Sequence, residues 1–193
     1  LSNLSELNNY CHKVLADSPA PHTLFLTEPI YAGQFAAFDN AVTMHQKILE
    51  AYAPKGGTII IKSHPMNFSN EDEVLIEKLS SKYNVIKISS KFTRYPVELF
   101  KPLIDKCEVI SWSYATLSLM YLYGKKVLHG ASDSFFEKYL FHDRVTCFKN
   151  GNILITAPLK NLSTWNENGP LYLGSYPPSD KKRPKMKLQY HEL

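Results

Sequence analysis

The sequence predicts an α/β fold, an open parallel sheet with helices on both faces, and three observations carry that expectation. Short apolar segments alternate with helical patterns from residue 23 to about residue 130. Thr58 to Lys62 (Thr-Ile-Ile-Ile-Lys) is an unbroken β-branched run, as a strand buried on both faces requires. Finally, the chain has 193 residues, 44% of them hydrophobic. A chain of that size buries ~70% of its unfolded surface and needs neither disulfides nor a metal to hold a core.

Each element has its own signal. Leu4, Leu7, Cys11 and Val14 share one helical face, and Asp17-Ser18-Pro19 closes that first helix. Thr23 to Thr27 reads as a short strand. Phe38, Val42, Ile48 and Tyr52 mark a helix stopped by Pro54 and Gly56-Gly57. Thr58 to Lys62 is the second strand. Asn70 followed by Glu73 resembles a capping box, with Val74, Leu75 and Leu79 continuing the helix. Val85 to Ile88 is a third strand, and Pro96 opens a short helix over Val97 to Phe100. Glu108 to Ser111 is a fourth strand, followed by a helix from Ser113 to Tyr123 with Gly124 past its end. Lys126 to His129 is a fifth. Beyond residue 130 the pattern weakens, and Asn150-Gly151 between Val145–Phe148 and Ile153–Thr156 predicts a type I′ hairpin. The domain reading is residues 1–19 as an N-terminal helix and linker, 20–165 as the sheet domain, and 166–193 as an irregular basic tail.

Charge and cysteines narrow the function classes. The net charge of +4 comes from the tail, in Lys181, Lys182, Arg183, Lys185 and Lys187, so the body is neutral. That excludes a basic nucleic-acid-binding face on the fold itself. The tail is a solvated end, or a peripheral contact with an anionic inner membrane surface. Val109 to Tyr123 is the longest apolar stretch, but serines and threonine interrupt it and it falls short of a membrane span. No secretory apolar segment is recognised, and Leu1 stands where Met is expected; the expectation is a cytoplasmic protein, processed or truncated from something longer. Cys11, Cys107 and Cys147 are odd in number without metal-ligand spacing, so they read as reduced thiols packed in the core.

Ligands of such sheets bind outside the carboxyl ends of the strands, where strand order reverses. Those ends carry Thr27-Glu28-Pro29 and the loop with Gly33, then Lys62-Ser63-His64-Pro65, then Ser111, Ser113 and Thr116, with Glu98 in the third crossover. A titratable imidazole, a carboxylate and hydroxyls at a helix start suit a nucleotide. The helix N-terminus and hydroxyls bind phosphate, His64 donates to it, and Glu98 accepts from a ribose. No Walker-type loop and no Gly-x-Gly-x-x-Gly occurs, so the usual kinase and dinucleotide readings fail. Lys62 orients its loop or meets the phosphate; the ordinary alternatives are that Ser113 and Thr116 cap their helix, that Glu98 answers a helix dipole, and that Lys62 is a solvated strand-end lysine.

At these residues the chain resembles a known group. Ile59-Ile60-Ile61-Lys62-Ser63-His64-Pro65 is similar to the His-Pro motif of bacterial sialyltransferases and polysialyltransferases, and Ser113-Tyr114-Ala115-Thr116-Leu117 to their Ser/Thr motif. Tyr95 to Phe100 resembles the segment supplying a ribose-binding carboxylate, and Leu24 to Pro29 the strand opening the nucleotide-binding half. The resemblance spans about residues 23–130. It implies the C-terminal, Rossmann-like half of a GT-B glycosyltransferase using CMP-sialic acid without a metal or other cofactor. His64 would be acid or phosphate ligand, Thr116 and Ser113 phosphate ligands, and Glu98 the ribose ligand. Lys62, Ser63, Pro65, Glu28 and Gly33 complete the expected nucleotide site. The implied partners are a glycan acceptor and an N-terminal acceptor domain or partner chain; a homodimer is left open. Two departures stand out. The family's acid-acid-Gly motif, which supplies its general base, is absent, with Tyr31-Ala32-Gly33 as its remnant and Glu28 or Asp39 as fallback bases. Ala115 stands where a hydroxyl is common. The alternatives are a CDP-polyol phosphotransferase of cell-surface polymer synthesis and a non-catalytic nucleotide-binding module.

Overall fold

A computed structural model describes residues 2–113, 115–129, 133–147 and 171–172. The elements in order are α1 (Ser2–Ala16), β1 (His22–Leu26), α2 (Phe38–Tyr52), β2 (Thr58–Lys62), α3 (Glu71–Leu79) and β3 (Asn84–Lys87). Two 3-10 turns follow, Ser90–Phe92 and Val97–Leu99, then α4 (Lys101–Lys106), β4 (Glu108–Ser111), α5 (Ala115–Tyr123), β5 (Val127–His129), α6 (Asp133–Tyr139) and β6 (Leu171–Tyr172). The sheet runs β3-β2-β1-β4-β5-β6 with every pairing parallel. Successive strands therefore progress outward from β1 in one direction, then restart beside it at β4. The reversal between β1 and β4 opens a crevice at their carboxyl ends.

The period-2 alternation of the strands divides the core between the two faces. Phe25, Ile59, Ile61 and Ile110 pack with Ile48 and Leu49 of α2, Leu75 and Leu79 of α3 and Phe135 and Phe136 of α6. Leu24, Leu26, Ile60 and Val109 point the other way, into Leu7 and Cys11 of α1, Leu103 and Ile104 of α4 and Leu119 and Met120 of α5. Residues on both faces of β2 are buried, as its β-branched run predicts.

Several local expectations need correction. The capping box at Asn70 is not formed, since Asn70 makes no side-chain cap bond; the helix starts at Glu71 on three acids instead. The helix Lys101–Lys106 carries no predicted counterpart. Residues 142–147 are helical, so the strand expected at Val145–Phe148 is absent from its described part, while Asn150-Gly151 and the second hairpin arm lie outside the described residues. Within the tail read as irregular, Leu171–Tyr172 pairs with β5. Cys11 and Cys107 are buried, but Cys147 is exposed rather than packed in the core. Among the described residues, no helix is long and apolar enough to cross a membrane.

Candidate functional site

The crevice at the strand reversal contains a cavity of about 190 Å³. Its lining includes Thr27 from the end of β1, Lys62, Ser63, His64 and Pro65 from the end of β2, Glu98 from the second 3-10 turn, and Ser113 and Ala115 from the start of α5. Six of the sequence-predicted residues thus come together on one surface.

His64 is fixed as a donor. The Met66 backbone N–H donates to its Nδ1 at 3.1 Å, which leaves the proton of the neutral ring on Nε2. Burial and the neighbouring Lys62 ammonium hold its pKa below the ordinary histidine value. Protonation would also break the Met66 bond. The geometry therefore suits a neutral imidazole offering Nε2–H to an anionic oxygen, rather than an imidazolium giving a proton away. The loop bearing it is anchored at its start by the His64 backbone N–H donating to Thr27 Oγ1 at 3.2 Å.

Lys62 is buried and turned toward backbone carbonyls. Its ammonium donates to the carbonyls of Ser63 at 3.2 Å and Thr93 at 2.6 Å, and lies over the Phe100 ring, 5.6 Å from its centroid. It thereby ties the His64 loop to the segment that leads into Glu98. Burial lowers its pKa to about 8, with Glu98 opposing the shift. Glu98 is itself held from α5: Ser118 Oγ donates to its Oε1, and the Tyr123 hydroxyl donates to its backbone carbonyl.

Beneath the surface lies a network that sequence reasoning missed. Ser63 Oγ donates to Asp72 Oδ2, Asn67 Nδ2 donates to Asp72 Oδ1 at 3.3 Å, and Lys87 Nζ stands 3.7 Å from Asp72. Glu71 accepts from the Tyr31 backbone N–H at 3.1 Å and from Ser69 Oγ at 2.7 Å. Both carboxylates are only 1% exposed, which is tolerable because each is hydrogen-bonded. Burial nonetheless raises both pKa values. Asp72 locks the loop after β2, and Glu71 locks the loop after β1. Two adjacent acids opening a helix were the available signal, but a helix dipole explains such acids without burial.

The other expected residues divide between cavity wall and interior. Ser63 is directed to Asp72. Thr116 is fully buried and does not line the cavity. Gly33 does not line it either; its N–H donates to the Pro29 carbonyl at 2.6 Å, and a Cβ there would meet the Phe35 ring at 2.5 Å. Its role is to let the loop close on itself. Glu28 is half-buried and does not line the cavity, and its buried Oε1 has no hydrogen-bond partner. Burial pushes its pKa up to about 7, with the nearby Ser113 hydroxyl opposing the shift. Ser113 also caps α5, its Oγ accepting from the Ala115 N–H at 2.9 Å. Among the described residues, no three His, Cys, Asp or Glu side chains are grouped as metal ligands.

Compared with known proteins, the chain matches no family model, and no curated protein or solved structure matches it.

Proposed function

We propose that the chain is the donor-binding domain of an inverting, metal-independent sialyltransferase that takes CMP-sialic acid. The observation that carries this reading is the convergence of His64, Glu98 and the Ser113 start of α5 on one cavity at the strand reversal. In this reading the cytidylate phosphate lies between the His64 Nε2–H and the positive end of α5. The Glu98 carboxylate, steadied by Ser118, receives the ribose hydroxyls. An acceptor hydroxyl attacks the anomeric carbon in line; the glycosidic bond to phosphate breaks with inversion, and the departing CMP keeps the electron pair. His64 stabilises that developing charge as a hydrogen-bond donor. The cavity is smaller than the roughly 300–1,000 Å³ of a complete small-molecule site, so it seats part of the donor. The acceptor and the base that takes its proton belong to the acceptor-binding half or a partner chain.

Calorimetric titration with CMP, using UMP and AMP as controls, tests the proposal. Selective CMP binding is expected, weakened at least tenfold (about 1.4 kcal/mol) in His64→Ala. Unchanged CMP affinity in that variant defeats the assignment. A second reading, a nucleotide-binding module without catalysis, is favoured by Ala32 in the loop after β1, where the resembled family carries its base. It predicts CMP binding without glycoside formation when the full-length protein is given CMP-sialic acid and a panel of acceptors.

A further inference from the structure

We propose that Ser118 and Tyr123 of α5 are positioning residues that set a preference of the crevice for ribonucleotides, by presenting the Glu98 carboxylate to a vicinal diol. This rests on the ribose assignment above and deepens it. Neither residue lines the cavity, so neither touches a ligand there. Both act on Glu98 from behind. Ser118 Oγ donates to Glu98 Oε1, and the same hydroxyl lies 2.9 Å from the Ala115 carbonyl three residues earlier, which holds it in the rotamer facing Glu98. The Tyr123 hydroxyl donates to the Glu98 backbone carbonyl. One bond fixes the carboxylate and the other fixes the backbone that carries it.

The need for such braces follows from where Glu98 sits. Val97–Leu99 is a 3-10 turn of three residues, too short to hold a side chain by its own hydrogen bonds. Lys62 pins the segments on either side of it, donating to the Thr93 carbonyl at 2.6 Å and lying over the Phe100 ring. The carboxylate itself is held from α5. A carboxylate offers about four lone-pair sites on its two oxygens. Ser118 takes one on Oε1, and Oε2 accepts no hydrogen bond among the described residues. That leaves room for two O–H donors on adjacent carbons, which a ribose supplies. A glutamate held in one rotamer beforehand spares the ligand the entropy of ordering it. Because Ala115, the first residue of α5, lines the same cavity, one helix both walls the crevice and orients a group on another element.

The test is calorimetric binding of CMP and of 2′,3′-dideoxy-CMP, which lacks both ribose hydroxyls, to the full chain. The wild type should prefer CMP by about tenfold or more, as hydrogen bonds to a charged group imply. Ser118→Ala and Tyr123→Phe should each weaken CMP binding by about three- to tenfold and leave dideoxy-CMP within about twofold, so that the preference shrinks. Glu98→Ala should abolish the preference. Adding Ser118→Ala to Glu98→Ala should then lower CMP affinity no further, because Ser118 acts through Glu98. Melting curves establish that each variant is folded, and the two braces are read independently, so either suffices. An equal loss for both nucleotides in the brace variants overturns the inference. An unchanged preference overturns it too, as does a further CMP loss when Ser118→Ala is added to Glu98→Ala. Equal wild-type affinity for the two nucleotides overturns the ribose assignment and this inference with it. Absence of wild-type CMP binding overturns instead the donor-site reading on which both rest.

Discussion

His45 shows how much one buried side chain can dictate. It is 1% exposed, neither ring nitrogen has a hydrogen-bond partner, and it is flanked by Phe25 at 5.3 Å and Trp112 at 5.5 Å between ring centroids. Burial alone lowers its pKa to about 3. The unfolded chain, with a histidine near its ordinary value, therefore binds the proton more readily than the native state. Stability is fully present above about pH 6.5 and is lost as pH falls toward 3, at up to about 1.4 kcal/mol per unit. His45→Phe removes that linkage. Its advantage over the wild type, read by urea unfolding, should grow by about 3 kcal/mol between pH 7 and pH 4.5. A gap that stays constant with pH would show that His45 is hydrated or paired. Glu28 has the opposite sign: its raised value stabilises the fold below about pH 4.5 and that contribution fades as pH rises through 7. The short apolar run Thr23–Thr27 put Phe25 in a strand, yet nothing one-dimensional said that His45 would lie against it without a partner.

At the scale of elements, two glycines separate two causes of strain. Gly124 ends α5 at φ +59°, with its N–H donating to the Met120 carbonyl at 2.9 Å, and an added Cβ would meet nothing within 4 Å. Gly124→Ala should therefore cost about 1 kcal/mol through backbone conformation alone. Gly33→Ala should cost more, since its Cβ would meet the Pro29 carbonyl oxygen at 2.8 Å as well as the Phe35 ring. Equal losses in chemical denaturation would contradict this account. Gly124 was legible as a stop because it follows an apolar helical run; Gly33 was read as a ligand-side residue because a loop glycine beside a strand end has the same appearance in either role. The helix Lys101–Lys106 escaped notice for a different reason. Six residues with a proline second and only Leu103 and Ile104 buried do not establish a helical period. The carboxylate network of Glu71 and Asp72 was hidden because its partners, Ser63, Ser69 and Tyr31, reach it through loops whose paths the sequence pattern does not specify.

For the whole molecule, the strand order explains why the site is where it is. Six residues chosen from strand ends and the third crossover share a cavity because β1 and β4 lie side by side while their crossovers diverge. That much was legible, since a parallel sheet built from alternating elements places all strand carboxyl ends on one edge. Which of them turn their polar atoms to the protein's own backbone and carboxylates was not. Lys62, Ser63, Glu28 and Gly33 looked alike as strand-end residues, and only three-dimensional packing shows that Lys62 and Ser63 bond within the protein while Glu28 and Gly33 lie outside the cavity lining. The arrangement of layers also distributes the thiols unevenly. Cys11 and Cys107 lie in the core between the sheet and the layer of α1, α4 and α5, and burial pushes their pKa values to about 11 and about 12. Cys147 is exposed. At pH 7 a maleimide should attach once per native chain, at Cys147, and three times after denaturation; two rapid attachments to native protein would refute the packing of α1 or α4. The same chemistry makes the chain its own clock. With Cys147 already capped, the rate at which the second and third labels arrive measures how often the α1–α4 layer lifts from the sheet, and comparing that rate with and without CMP would show whether a ligand at one end of the strands quiets motion in the layer beneath them.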